Sequence, residues 1–139
     1  MTTMEKESLI TAARLAACNS KAFKSNFTVG CAIRTEARER GIPSHIVVGG
    51  NVEFNGHPAV HAEVAALCRL FAGGFRAHDV TALAVWCPTG PHKSCGCCLQ
   101  ALSTWFPNDL LMLFGGENGT EEYTLGELLP HAYRRERDS

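Results

Sequence analysis

A three-layer α/β fold, with one mixed sheet and helices on both of its faces, is what this sequence predicts, and three observations carry the expectation. Helix and strand patterns alternate through the second half of the chain. Val80 to Trp86 is an almost unbroken apolar run without strict alternation, the pattern of a central strand covered on both sides. The first half holds two short apolar strands around a charged, glycine-containing break, which reads as a hairpin. The 139 residues suit a single domain, taken as 1–139, long enough to bury a core.

Thr2 and Glu5 have the spacing of a capping box, and Leu9, Ala13, Ala16 and Ala17 form one apolar stripe, so the first helix is expected from about Met4 to Asn19. Cys31-Ala32-Ile33 and His45-Ile46-Val47-Val48 read as strands, with the charged run Thr35 to Arg40 and the Gly41-Ile42-Pro43 break as the turn between them. A polar, glycine-rich loop follows from Gly49 to Gly56. Pro58 then announces a helix in which Val60, Val64, Leu67, Cys68 and Phe71 repeat at helical spacing until Gly73-Gly74 stops it. Cys87-Pro88 ends the central strand. A helix from about Cys95 to Phe106 turns Leu99, Leu102 and Phe106 inward, and His92 and Lys93 before it read as a solvated loop. Leu110 to Phe114 is a further buried strand, Glu122 to Thr124 an edge strand, and Leu125 to Leu129 a short helix. A solvated tail is expected over 134–139.

Charge and composition narrow the function. The formal net charge is -1 and no basic stripe precedes the tail, which argues against nucleic acid as a partner. Met1 to Glu7 is polar and charged and no apolar run reaches membrane length, so neither a secretory leader nor a membrane span is expected and the chain is placed in the cytoplasm. Seven cysteines, three of them clustered, fit a reducing compartment with metal ligation better than a disulfide framework. Cys18, Cys31 and Cys68 are read as small buried hydrophobes.

The chemistry concentrates in His61-Ala62-Glu63 and Ser94-Cys95-Gly96-Cys97-Cys98. His61, Cys95 and Cys98 make three ligands for one zinc ion, leaving its fourth position to water, as a catalytic rather than a structural site requires. Cys95 and Cys98 are three apart, so a helical turn starting there points both sulfurs to one side, where backbone amides favour thiolate. His61 and Glu63 lie about 200° apart on a mature helix, so they converge on a metal only at a helix start. Zinc lowers the pKa of a water it holds to about 7, and Glu63, not a ligand, is the group to carry that water's proton to the substrate. The same residues taken separately allow a structural zinc knuckle or unmetallated thiols, and Cys97 competes with Cys98 as a ligand. H-x-E paired with C-x-x-C is the zinc nucleobase-deaminase signature.

Several segments resemble the cytidine deaminase family in order. Asn26-Phe27-Thr28-Val29-Gly30 is similar to its N-F-P-V-G, Asn51-Val52-Glu53 to its N-x-E, His61-Ala62-Glu63 to its [HC]-A-E, Ser94 to Cys98 to its P-C-x-x-C, and Glu127-Leu128-Leu129-Pro130 to its E-L-L-P. The resemblance implies a central five-stranded sheet and one zinc per chain. It implies hydrolysis of cytidine and 2'-deoxycytidine to uridine and 2'-deoxyuridine, with homo-oligomers, tetrameric in the short-chain branch and dimeric in the longer one. It sets Phe27 against the pyrimidine face, Asn51 and Glu53 on the ribose hydroxyl, Ala62 at the substrate, and Tyr133 at a neighbouring subunit's base. The bland counterparts are a core aromatic for Phe27 and turn chemistry for Asn51.

Three departures from the family pattern matter. His61 stands where short-chain members carry cysteine, and Val64 where an arginine follows. Two thiolates and a neutral imidazole balance Zn²⁺ without a compensating cation, so the two changes agree. Phe54 replaces a second asparagine, which alters the sugar-side wall and leaves a modified cytosine nucleoside, as in the similar blasticidin S deaminases, as the alternative substrate. A non-catalytic, zinc-stabilised binding module is the alternative of a different class, and retained Glu63 argues against it.

Overall fold

The computed structural model describes residues 1–135. The expected tail at 134–139 therefore lies outside the described residues from 136 onward, and its first residue is engaged, because Arg134 Nη2 donates to Asn108 Oδ1 at 2.7 Å.

Helix α1 spans Thr3–Ala17, and the foreseen capping box is present: Glu5 N–H donates to the Thr2 hydroxyl while the Glu5 carboxylate accepts from Thr2 N–H. Strands β1 (Gly30–Ala37) and β2 (Ile42–Gly50) form the antiparallel hairpin, both longer than expected. The charged run was expected to turn at Thr35. Instead pairing continues to Ala37 opposite Ile42 through an irregularity, and the turn is confined to Arg38–Arg40 and Gly41. The reason is that β1 is a central strand whose polar residues find partners. Arg34 pairs with Glu5 at 2.9 Å and its Nη1 donates to Thr81 Oγ1 at 2.9 Å, and the Thr35 hydroxyl donates to the His45 carbonyl. Gly41 takes φ 68, a left-handed conformation that suits glycine.

Helix α2 spans Ala62–Ala72, β3 Val80–Trp86, α3 Gly96–Trp105, β4 Leu111–Gly116, β5 Gly119–Thr124 and α4 Leu125–Leu128. The sheet order is β2-β1-β3-β4-β5; only β3 and β4 run parallel, joined through α3. This is the mixed five-stranded sheet that was expected. Alternation along its strands builds two unequal cores. Ile33, Leu83, Val85, Met112 and Phe114 face α2 and α3, packing on Leu67, Leu70, Leu102 and Phe106. Ala32, Ala82, Ala84 and Leu113 face α1, packing on Leu9 and Ala13. Each large side chain buried on the first face contributes about 1.5–3 kcal/mol. The second face is lined with small residues, so α1 approaches closely: a Cβ on Gly30 would lie 1.9 Å from the Ala13 carbonyl oxygen.

The inward stripe of α2 differs from the one expected. Ala62, Glu63, Ala66, Leu67 and Leu70 are buried, whereas Val64 and Phe71 are only partly so and Cys68 is exposed. Small alanines define the buried face here, and a reading weighted by large apolar residues turns the helix the wrong way. Cys18 is likewise exposed at the end of α1, so of the three cysteines read as buried only Cys31 is. Among the described residues no helix is long and apolar enough to cross a membrane.

Candidate active site

Two helix starts meet at the carboxyl end of β3. Val52 and Val60 exchange backbone hydrogen bonds at 2.8 and 2.9 Å, fixing the chain just before α2, and His61 is that helix's N-cap residue in extended conformation. Its ring is therefore thrown forward off the helix end, while Glu63 in the first turn is 5% exposed and faces inward. Cys95 is the N-cap of α3, and Cys98 N–H donates to its sulfur at 3.5 Å. Both expected helix-start settings are present.

The ligand atoms converge. His61 Nδ1 lies 3.2 Å from Cys98 Sγ and 3.4 Å from Cys95 Sγ, and the three atoms fall within 4.8 Å of one another. Tetrahedral zinc with Zn–S of about 2.3 Å and Zn–N of about 2.0 Å separates neighbouring ligands by about 3.6 Å, so the donor set fits the ion in spacing and chemistry. Exposed Cys97 is not part of the group, which resolves its competition with Cys98. One expectation changes. Burial pushes the Cys98 thiol well above its ordinary range, and the Glu63 charge and Cys95 add to this. The helix start does not ionise Cys98 unaided; metal binding must displace that proton.

A cavity of about 280 Å³ opens beside these ligands, at the small end for a site that encloses an organic molecule. Phe27, Asn51, Glu53, His61, Ala62, Glu63 and Cys95 all line it. Asn26 takes φ 56, a conformation asparagine tolerates, and Phe27 beyond it is 43% exposed rather than a core aromatic. Asn51 braces the same segment, Nδ2 donating to the Phe27 carbonyl at 2.8 Å and Oδ1 accepting from Val29 N–H at 2.9 Å. Glu53 accepts from the Ser25 hydroxyl at 2.6 Å and from the Ser25 and Lys24 amides at 3.0 and 2.8 Å. The Ser25 hydroxyl first, then these amides, hold its carboxyl below the usual range. By their donor and acceptor inventory, Asn51 keeps one amide hydrogen and Glu53 one lone pair for a ligand.

Tyr133 is not in this cavity. It is 73% exposed and clamped to α3, where Gln100 Nε2 donates to its carbonyl at 2.6 Å and Gln100 Oε1 accepts from its N–H at 3.0 Å. Phe54 is also absent from the lining; its ring stands edge-on to His57 at 5.2 Å. Conversely His92 and Lys93, read as a solvated loop, line the cavity, as do Ser25 and Cys87. Burial raises the Cys87 thiol above its ordinary range, only partly offset by the nearby backbone amides of Gly90 and His92.

Residues 3–112 match the family model described as the cytidine and deoxycytidylate deaminase zinc-binding region. The chain belongs to this family. Among its relatives, the cytidine deaminase of Enterobacter sp. (strain 638) is 34% identical over 122 residues, 86% of this chain. The chain spans only 36% of that relative's length. The crystal structure of cytidine deaminase from Burkholderia pseudomallei is similar with a TM-score of 0.83 and 31% identity, covering 96% of this chain and 100% of that one. Cytidine deaminase from Mycobacterium tuberculosis is similar at a TM-score of 0.73 and 29% identity, covering 91% and 95%. In this family setting His61, Cys95 and Cys98 form the candidate zinc site.

Proposed function

We propose that this chain catalyses the hydrolytic deamination of cytidine and 2'-deoxycytidine to uridine and 2'-deoxyuridine with release of ammonia, using one zinc per chain. The observation that carries this reading is a buried carboxylate, Glu63, lining the same cavity as His61 and Cys95, two of the three donors that Cys98 completes. A purely structural metal has no use for such a neighbour.

When bound, zinc supplies a polarised water that gives up its proton near neutral pH. Phe27 lies along the pyrimidine face, and Asn51 and Glu53 hold the ribose hydroxyl with their remaining donor and acceptor sites. Glu63 receives the water's proton on a carboxylate oxygen and delivers it to the ring nitrogen as the water's oxygen bonds to C4. Glu63 then takes the proton of the new C4 hydroxyl and passes it to the amino nitrogen, the C4–N bond breaks, ammonia leaves, and C4 keeps the oxygen as a carbonyl. Ala62 presents only a methyl group beside this carboxylate and leaves room for the ring.

A homotetramer, or a dimer, is part of the same reading, as are a cytoplasmic location and a role in pyrimidine salvage. The exposed aromatics Phe23 and Phe54 support the assembly. Tyr133, solvent-facing in its own chain, is free to meet a neighbour's base. The decisive experiment follows ammonia release from cytidine, 2'-deoxycytidine, cytosine and blasticidin S by zinc-loaded protein and by Glu63→Gln. The reading expects turnover of the two nucleosides and a loss of at least about 10²-fold in E63Q with zinc retained. Preference for blasticidin S supports the modified-nucleoside alternative, and no release from any substrate leaves a binding module.

A further inference from the structure

Across the cavity from Phe27 stands a side chain that neither the ligand group nor the proton carrier accounts for. His92 lines the cavity, and its ring centroid is 6.2 Å from that of Phe27 with the planes tilted by 45°. Its Nε2 lies 2.8 Å from Thr89 Oγ1, which sets the ring's orientation. The loop beneath it is seated on the β4–β5 turn. Asn118 N–H donates to the Gly90 carbonyl at 3.1 Å, Asn118 Nδ2 to the Thr89 carbonyl at 3.3 Å, and Glu117 N–H to the Pro88 carbonyl at 3.2 Å. Gly90 and Gly116 lie back to back, so close that a Cβ on Gly116 would come within 2.4 Å of the Gly90 backbone. A ring held on so fixed a loop loses little freedom when a ligand touches it.

The spacing of the two rings states what they can receive. A ring stacked flat between two parallel aromatic faces needs about 7–8 Å between them, two contacts of about 3.5–4 Å. At 6.2 Å and 45° the pair forms a wedge instead of a slot. A single flat ring resting on Phe27 then lies at about the same 45° to the imidazole and brings its edge towards it, a tilted contact between the offset-stacked and edge-to-face arrangements of aromatic pairs.

We propose that His92 is a substrate-contacting residue, a second aromatic wall that meets the edge of the pyrimidine lying on Phe27. The inference rests on the deaminase reading above and adds a wall supplied by the chain's own loop. Steady-state kinetics on cytidine with the zinc-loaded full chain tests it through His92→Ala and His92→Phe. H92A raises KM about three- to tenfold with kcat within about twofold, the size expected for one aromatic contact, while H92F keeps a flat ring and a KM within about twofold of the parent. H92A with an unchanged KM overturns the proposal, and so does H92F as impaired as H92A, since the ring would then not be the working part. Because H92A can loosen the loop, cytidine binding by ligand-observed NMR is measured on all three proteins alongside their melting temperatures. A parent that binds cytidine yet releases no ammonia sinks the deaminase reading alone. An active parent whose affinity H92A matches sinks the role of His92 alone.

Discussion

At opposite ends of β3 sit two groups of side chains whose ligand atoms all lie within 4.8 Å of one another: His61, Cys95 and Cys98 beyond its carboxyl end, and Glu39, His78 and Asp79 before its amino end. What separates them is the company they keep. Asp79 has a fully buried side chain, but one of its oxygens already pairs with the Arg40 guanidinium and accepts from Arg76 N–H at 2.8 Å. A cation arriving there meets another cation. The carboxyl-end group has two thiols and an imidazole with a buried carboxylate beside it, and the lysine that lines its cavity, Lys93, has its ammonium beside Glu121 and the Tyr123 ring rather than paired with a donor. Proximity of ligands is common to both, and local charge balance and an open flank decide which one is a metal centre.

The comparison breaks most visibly if Cys98→Ala keeps its metal. Zinc per chain, measured by elemental analysis, is expected to fall from one to nearly none, and ammonia release to drop by about 10³-fold or more. Asp79→Asn is expected to leave zinc content and turnover intact while lowering stability by about 2 kcal/mol in denaturant melts, because it strands a half-buried guanidinium and weakens a turn cap. The acid limb sharpens this. Burial alone pushes the Asp79 carboxyl up, yet the Arg76 amide and Arg40 more than offset it and hold the group below its ordinary range. A depressed folded-state value means that Asp79 adds stability above about pH 4 and that this is lost as pH falls through the folded value. The D79N protein should therefore lose less stability than its parent as pH falls below about 4. The smallest effect belongs to His78→Ala, whose side chain is 65% exposed: a change within about 0.5 kcal/mol and no change in zinc. A second zinc that disappears in H78A would erase the distinction.

Legibility in the sequence followed the range of the interactions. The ligands were readable because each pair, His61 with Glu63 and Cys95 with Cys98, is fixed by the geometry of one helix start. The boundaries of β3 and the capping box of α1 were readable for the same local reason. Ser25 and Gln100 were missed because their roles exist only across the fold: Ser25 bonds Glu53, and Gln100 holds Tyr133. No spacing rule reaches those pairs. The length of β1 and β2 was underestimated because the charged run from Thr35 reads as a turn until the fold supplies partners such as the His45 carbonyl for Thr35. Cys68 shows the opposite failure. Its residue type favours burial, but the phase of α2 is set by Ala62 and Ala66, and phase overrules type.

The helix that carries both sulfurs also grips the end of the described chain. Gln100 lies on α3 just beyond Cys98, and its amide holds Tyr133 by both backbone groups, with Arg134 fastened to Asn108 alongside. The carboxyl-terminal segment is thus a lever bolted to the ligand helix. Tyr133 therefore keeps its place at the protein's surface only as firmly as Gln100 keeps its own on α3.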